Sequence, residues 1–251
     1  SSASNSRYNE ALRLWLELSK STGDNALFAR ECRQHIVSIW SILRMLDGKV
    51  ATLQAKLDGS PPDLEAGRLL AEVQRRLKQL KQAEKTLRRV VKLAPGDEES
   101  MLALERNLVS QRDLDGAIAV LKKLVKVNPK RARQYYQRMA QYSAELYRDD
   151  DAIKYASRAV ELSPNDAAGH FNLAKMYRKR GKIDRAMVEL RKAISKNDRL
   201  FKAHFELAEL LLSKGKVTDA DNMYRHVLRK SRDGEFVMRA VRLSMQINLG
   251  R

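Results

Sequence analysis

Alanine and proline recur along this chain at an interval of 34 residues, and that period constrains the fold more than any other feature. Pro95, Pro129 and Pro164 follow Lys-Leu-Ala, Lys-Val-Asn and Glu-Leu-Ser, at steps of 34 and 35. Each proline ends a helix, because it has no N–H to donate and restrains the residue before it. Twelve residues ahead of each stands an alanine, Ala83, Ala117 and Ala152, and the alanine series runs on to Ala186 and Ala220. A small residue at constant phase marks a place where two helices come too close for a larger side chain. Self-similarity at such a period is the signature of a repeat architecture. Composition agrees: 11 glycines and 5 prolines in 251 residues, with Leu, Ala, Lys, Arg and Glu abundant, describe a mostly helical chain.

The residues between these markers resemble the tetratricopeptide repeat (TPR) family. Ala167–Leu200 matches its pattern with His170, Leu173, Ala174, Tyr177, Ala186, Leu190 and Ala193, and has Asp198 where proline is usual. Phe201–Gly234 supplies His204, Leu207, Ala208, Leu211, Ala220, Tyr224 and Val227. Arg133–Asp166 supplies Tyr136, Met139, Ala140, Ala152, Ala156, Ala159 and Pro164, but has Ser143 where the family has an aromatic. Glu98–Arg131 departs at Glu105, where a small residue belongs. Leu64–Asp97 departs at Gly67 and Gln74. The resemblance implies an all-α, right-handed superhelical solenoid of antiparallel helix pairs. It divides residues 64–234 into five repeats: 64–97, 98–131, 133–166, 167–200 and 201–234.

The two ends fit the pattern less well. Tyr8, Ala11, Leu12, Trp15 and Leu18 fall at helical spacing. From Asp24, placed to cap a helix, Ile36, Ile39, Leu43, Leu46, Val50, Leu53 and Leu57 form a heptad. The expectation is one long helix packed on the first repeat. A coiled-coil seam is the alternative, and with it a homodimer through the N-terminal helices. Gly48 weakens either by about 1 kcal/mol relative to Ala. Residues 1–63 are thus an atypical repeat or capping region. Gly59-Ser60-Pro61-Pro62-Asp63 is the clearest break, with Asp63 placed to cap the next helix. Residues 235–251 carry Phe236, Val237, Ala240, Val241 and Ile247. They are a capping helix, since a solenoid needs its last face covered, or the start of a further repeat. The chain begins at Ser1 rather than methionine, as an excised piece of a longer protein or a matured protein would.

Catalytic signatures are missing, and the expectation is a binding protein rather than an enzyme, with no cofactor and no metal. There is no Gly-rich phosphate loop, no His-Glu-x-x-His and no Gly-x-Ser-x-Gly. His170 and His204 share a repeat position, where interior packing outweighs a shared metal. Cys32 and His35, three apart on a helix, are better read as a buried thiol beside an exposed ring than as a nucleophile and its base. The run Asp149-Asp150-Asp151 suits the positive end of a helix better than a cation cage. The single cysteine fits a reducing, cytoplasmic setting. No apolar run reaches the 18 or so residues of a membrane span, and Ser1–Ser6 shows no signal peptide.

Family geometry places the first helix of each repeat along a concave groove. The residues it puts there are Arg106, Gln137, Gln141, Phe171, Asn172, Lys175, Arg178, Lys179, Lys202, Phe205 and Glu209. Phe171 and Phe205 share a position and are candidates for an exposed aromatic pair, with inter-repeat packing as the alternative. The carboxylate clamp known in part of the family is spoiled here. Its five positions hold Gln137, Gln141, Asn172, Lys202 and Glu206, of which Asn172 and Lys202 alone match. A net charge of +18 is concentrated in residues 64–97 and 167–200, which carry +5 and +7. The expected function is a protein-interaction scaffold that binds a peptide or partner domain, acidic and with apolar anchors, in a basic groove. A nucleic-acid- or polyanion-binding repeat protein is the first alternative, disfavoured because the basic clusters lack interleaved aromatics. An interaction module of a larger multidomain protein is the second.

Overall fold

A computed structural model describes residues 2–21 and 25–249, and those residues are all-α. The helices are α1 (Ser2–Lys20), α2 (Ala26–Ile42), α3 (Leu46–Leu57), α4 (Leu64–Arg76), α5 (Leu80–Leu93), α6 (Glu98–Ser110) and α7 (Leu114–Val127). A single 3-10 turn, Pro129–Arg131, leads into α8 (Ala132–Glu145) and α9 (Asp149–Glu161). Then follow α10 (Ala167–Lys179), α11 (Ile183–Lys196), α12 (Phe201–Ser213), α13 (Val217–Lys230) and α14 (Gly234–Leu249). The chain forms two compact units, Ser1–Pro129 and Lys130–Arg251.

From α2 to α13 the helices form hairpins, and one backbone device closes all six. Three residues separate the two helices each time, and the second of the three is left-handed. It is Arg44, Lys78, Arg112, Tyr147, Gly181 or Gly215, with φ between 56° and 71°. The next N–H then donates back to a carbonyl five residues earlier. Met45 reaches Trp40, Gln79 reaches Gln74, Asp113 reaches Leu108, Arg148 reaches Ser143, Lys182 reaches Tyr177 and Lys216 reaches Leu211, at 2.8–2.9 Å. This satisfies a carbonyl that the helix end would otherwise leave open. The links between successive hairpins are not constant, at four to six residues.

That device corrects the reading of residues 24–58 as one long helix. The left-handed Arg44 breaks the stretch into α2 and α3, in phase with every later hairpin. Asp24 lies outside the described residues; Asn25 caps α2, its side chain accepting from the Phe28 N–H at 3.1 Å. The heptad is used inside the chain. Ile36, Leu46, Leu53 and Leu57 are buried in one cluster with Trp40, Leu70, Val73 and Val90, so they form no free coiled-coil seam.

Packing explains the recurring alanines and the departures from the pattern. Ala83, Ala117, Ala152, Ala186 and Ala220 are at most 1 % exposed. Gly67 lets α4 lie close to α3 and α5, since a Cβ there would stand 2.6 Å from Val90 Cγ2 and 2.9 Å from Leu57 Cδ1. Gln74 is buried because the Thr86 hydroxyl donates to its Oε1 at 2.8 Å. Asp63, Asp113 and Asp166 each accept a backbone N–H three residues on, at 2.9–3.0 Å, and so start α4, α7 and α10. In the second unit Leu190, Leu207, Leu211, Tyr224 and Val227 form the core, and Phe236, Leu243 and Ile247 of α14 pack on it.

Two substitutions test these devices by chemical denaturation. Gly67→Leu is expected to destabilise the fold by about 1–3 kcal/mol through overpacking; an unchanged midpoint would refute the close approach. Tyr147 holds its left-handed φ of 58° while 87 % exposed, so it contributes strain and no packing. Tyr147→Gly is therefore expected to stabilise, by about 0.5–1 kcal/mol after the entropic cost of glycine.

Candidate functional site

Within the unit Lys130–Arg251, five of the expected groove residues meet. Gln137 and Gln141 of α8 and Asn172, Lys175 and Lys179 of α10 line one cleft of about 780 Å³. Its base is Ala140, Ala156, Ala159 and Val160, none more than 9 % exposed, with Ala144 and Met176 beside them. The cleft exists because α9 offers small side chains between two walls. Asp166 anchors the α10 wall by capping it at Gly169 and holding Arg133 at 3.1 Å.

Charge in this cleft is balanced rather than basic. Its charged lining is Lys175 and Lys179 against Glu145 and Asp166. Lys179 binds Asp149 at 2.9 Å, and Glu145 accepts from Gln141 at 3.1 Å. Among the described residues, Lys175 has no carboxylate partner; its Nζ lies 5.9 Å from the Phe171 ring centre.

The remaining expected residues lie elsewhere. Arg178 binds Glu206 and, at 3.0 Å, Glu209, which also meets Arg239 at 3.4 Å. Hydrogen bonding to Glu206 is the main reason the Arg178 guanidinium is held above its ordinary pKa. Lys202 is exposed and lies outside the cleft. The exposed aromatic pair is corrected. Phe205 is 2 % exposed, packed on Tyr224 and Phe236 with the Arg239 guanidinium 4.5 Å from its ring, and Phe171 is half-buried against the same core. An apolar ring at this position has more surface to bury between hairpins than the groove leaves it. Arg106 belongs to the other unit, half-buried on α6.

Several polar groups that invite a chemical reading have structural partners. Asp149 and Asp150 face the basic turn after α10: Lys179 reaches Asp149, and Arg180 and Lys182 reach Asp150 at 3.0 and 3.5 Å. Among the described residues, no three metal-capable side chains cluster. Cys32 is fully buried, and burial is the main cause that pushes its thiol pKa up. His35 is turned to stack on Trp15, with ring centres 4.1 Å apart. His170 and His204 make the same bond, Nε2–H donating to the carbonyl six residues back, Pro164 at 3.1 Å and Asp198 at 2.9 Å. Nδ1 of His170 faces Glu189 at 2.6 Å, whereas Nδ1 of His204 is buried with no partner. Sequence reasoning missed a cluster of Arg30, Arg33, Arg68 and Arg75 around Arg106. Treating α2 and α3 as one helix hid the phase that puts Arg30 and Arg33 on an inner helix.

Comparison with known proteins follows the same division between fold and site. Residues 51–222 match the family described as ChAPs (Chs5p-Arf1p-binding proteins). No curated protein matches the chain. Among solved structures, it is similar to YrrB, described as a TPR protein with an unusual peptide-binding site: 15 % identity, TM-score 0.52, covering 76 % of this chain and 97 % of that one. A MamA fragment from Desulfovibrio magneticus RS-1 gives 18 % identity and a TM-score of 0.50 over 68 % of this chain and 97 % of that one. A structure of Naa15/Naa10 bound to HypK-THB gives 14 % identity and a TM-score of 0.65, covering 96 % of this chain and 39 % of that one. At these identities the likeness speaks for the fold, an all-α solenoid of TPR-like helix pairs. Among the described residues, no helix is long and apolar enough to cross a membrane.

The buried imidazole of His204 sets a pH dependence. Burial lowers its pKa, and the stacked ring of His226 adds to that, while the Asp198 carbonyl and carboxylate oppose it. The folded state therefore resists a proton that the unfolded chain accepts below an ordinary histidine pKa of about 6.5. Stability is full above that pH and falls as the pH drops below it. Thermal melts from pH 7.5 to 5 should show this fall, reduced in His204→Leu; identical slopes would remove His204 as the cause.

Proposed function

The chain belongs to the family of Chs5p-Arf1p-binding proteins, and on that premise we propose that it is a scaffold holding a segment of a partner protein in the cleft between α8, α9 and α10. The cleft itself carries this reading: about 780 Å³ of open space over a base of alanines, within reach of three side-chain amides. Apolar side chains of a bound segment would fill the space above Ala156 and Ala159. Gln137, Gln141 and Asn172 offer donors and acceptors to its backbone, as extended or helical ligands require. Lys175, without a carboxylate of its own, suits one acidic group on that segment. The partner is thus apolar with a single acidic anchor, a narrower description than a polyanion. Its protein nature agrees with the family's name, which records Chs5p and Arf1p as partners of its members.

Two finer points belong with this reading. For a homodimer, the exposed apolar pair Leu14 and Leu18, one turn apart on α1, is the surface on offer, because the heptad is taken up by the core. A lone, buried cysteine suits the cytoplasm.

Pull-down from a native extract at two salt concentrations, with mass spectrometry, identifies the partner; two variants then test the site. Ala144→Trp fills the cleft, and Lys175→Glu reverses its one unpaired positive charge. Each is expected to weaken capture by at least about tenfold, or 1.4 kcal/mol, with helicity and melting temperature unchanged. Full capture by both variants would overturn the assignment to this cleft.

A further inference from the structure

The unit Ser1–Pro129 gathers five arginines around one small pocket. Arg30 and Arg33 of α2, Arg68 and Arg75 of α4, and Arg106 of α6 line a space of about 30 Å³, with Glu72 and Glu99 as the acids among its walls. Two of the five are neutralised. Arg33, 5 % exposed, donates to Glu65 at 2.6 and 2.8 Å and to Glu99. Arg68 binds Asp97 at 2.7 Å, Glu65 at 3.1 Å and the Ser100 hydroxyl at 3.2 Å.

The other three are left short of partners. Arg75 touches Glu72 through one Nη at 3.3 Å, while its Nε is buried with no hydrogen-bond partner. Arg30 and Arg106 line the same pocket, and neither has an ion-pair partner among the described residues. The electrostatics of Arg106 record the crowding. Burial first, then the charges of Arg30 and Arg75, pull its pKa down to about 10, against the weaker opposing pull of Glu105 and Glu72. Like charges held together in a partly dry site repel more strongly than in water, and guanidinium groups do not escape by losing a proton near neutral pH.

We propose that this pocket binds a phosphate-class dianion through the guanidinium forks of Arg30, Arg75 and Arg106. Guanidinium matches a tetrahedral oxyanion with paired N–H donors. A phosphate monoester carries about −1.5 to −2 near pH 7, which meets the two unpartnered cations, where a carboxylate meets one. The space holds the equivalent of roughly two waters. That admits a phosphoryl group and excludes a base or a sugar, and no aromatic ring lines the pocket for stacking. The site is in a different unit from the partner cleft and does not depend on that reading.

Titration of the full chain with inorganic phosphate, at constant ionic strength set by sodium chloride, tests it by calorimetry and thermal melting. N-acetyl-phosphoserine amide, the peptide-borne form of the same dianion, is titrated in parallel, and acetate serves as the carboxylate control. Saturable binding and a raised melting temperature are expected with either phosphate, the tighter of the two naming the source, and none with acetate. Arg30→Gln and Arg106→Gln should each weaken binding by at least about tenfold. Arg106→Gln should also raise the melting temperature without anion, because it relieves repulsion, which separates loss of the site from loss of the fold. Arg88→Gln, on the exposed face of α5, should bind as the parent does. Binding of neither phosphate, an equal response to acetate, or undiminished binding in both pocket variants would overturn the proposal.

Discussion

The fold rests on one steric constraint, a buried alanine at a fixed phase in five of its six hairpins, from α4–α5 to α12–α13. Ala83, Ala117, Ala152, Ala186 and Ala220 are sealed from solvent, each a small side chain enclosed by its neighbours. Close approach there brings the flanking Leu and Val side chains into mutual contact, and burial of those side chains supplies the stabilisation. Gly67 carries the same constraint further, giving up even the methyl where Leu57 and Val90 converge. Position-specific small residues thus decide where helices cross, while the larger apolar residues decide how strongly they hold.

Charge is organised locally on this scaffold. A strongly basic sequence suggests a broad positive face, yet much of that charge is countered by acids from neighbouring elements. The basic turn after α10 meets Asp149 and Asp150, and Arg178 is shared between Glu206 and Glu209. Along α5, Arg88 is held by Glu84 and Arg89 by Asp58. Such exposed pairs add little stability individually, but they remove cations from the pool available to a ligand. Of the cations left short of an acid, Lys175 at the cleft and the Arg30–Arg75–Arg106 cluster line concave sites, and they are more informative than the total.

How much of this was legible in the sequence depends on the distance over which each signal acts. The period of 34 is written in residues whose backbone demands are local and strict, Pro and Ala, and it gave the helix pairs from α4 to α13 directly. The α2–α3 hairpin was obscured because Lys49 and Lys56 stand where its alanines would be, and because apolar residues at heptad spacing imitate a continuous helix. Pro61, 34 residues before Pro95, and the aromatic Trp40 were the available clues. The cleft residues Gln137, Gln141, Asn172, Lys175 and Lys179 followed from family geometry. The fate of Phe205 did not, because its burial depends on Phe236 and Tyr224, whose placement no spacing rule gives. Neither did the arginine pocket, which is assembled from three helices far apart in sequence.

The three-residue turn inside each hairpin has a consequence for how this chain can vary. Its length is invariant across six examples, because the left-handed residue and the carbonyl bond that follows leave no room for another residue. Links between hairpins range from four to six residues, and the one step of 35 in the alanine series falls across the link that contains the 3-10 turn. Insertions and deletions are thereby channelled to the seams. A hairpin is inherited as an indivisible cassette, and the chain can gain, lose or exchange whole cassettes without redesigning the interior of any of them.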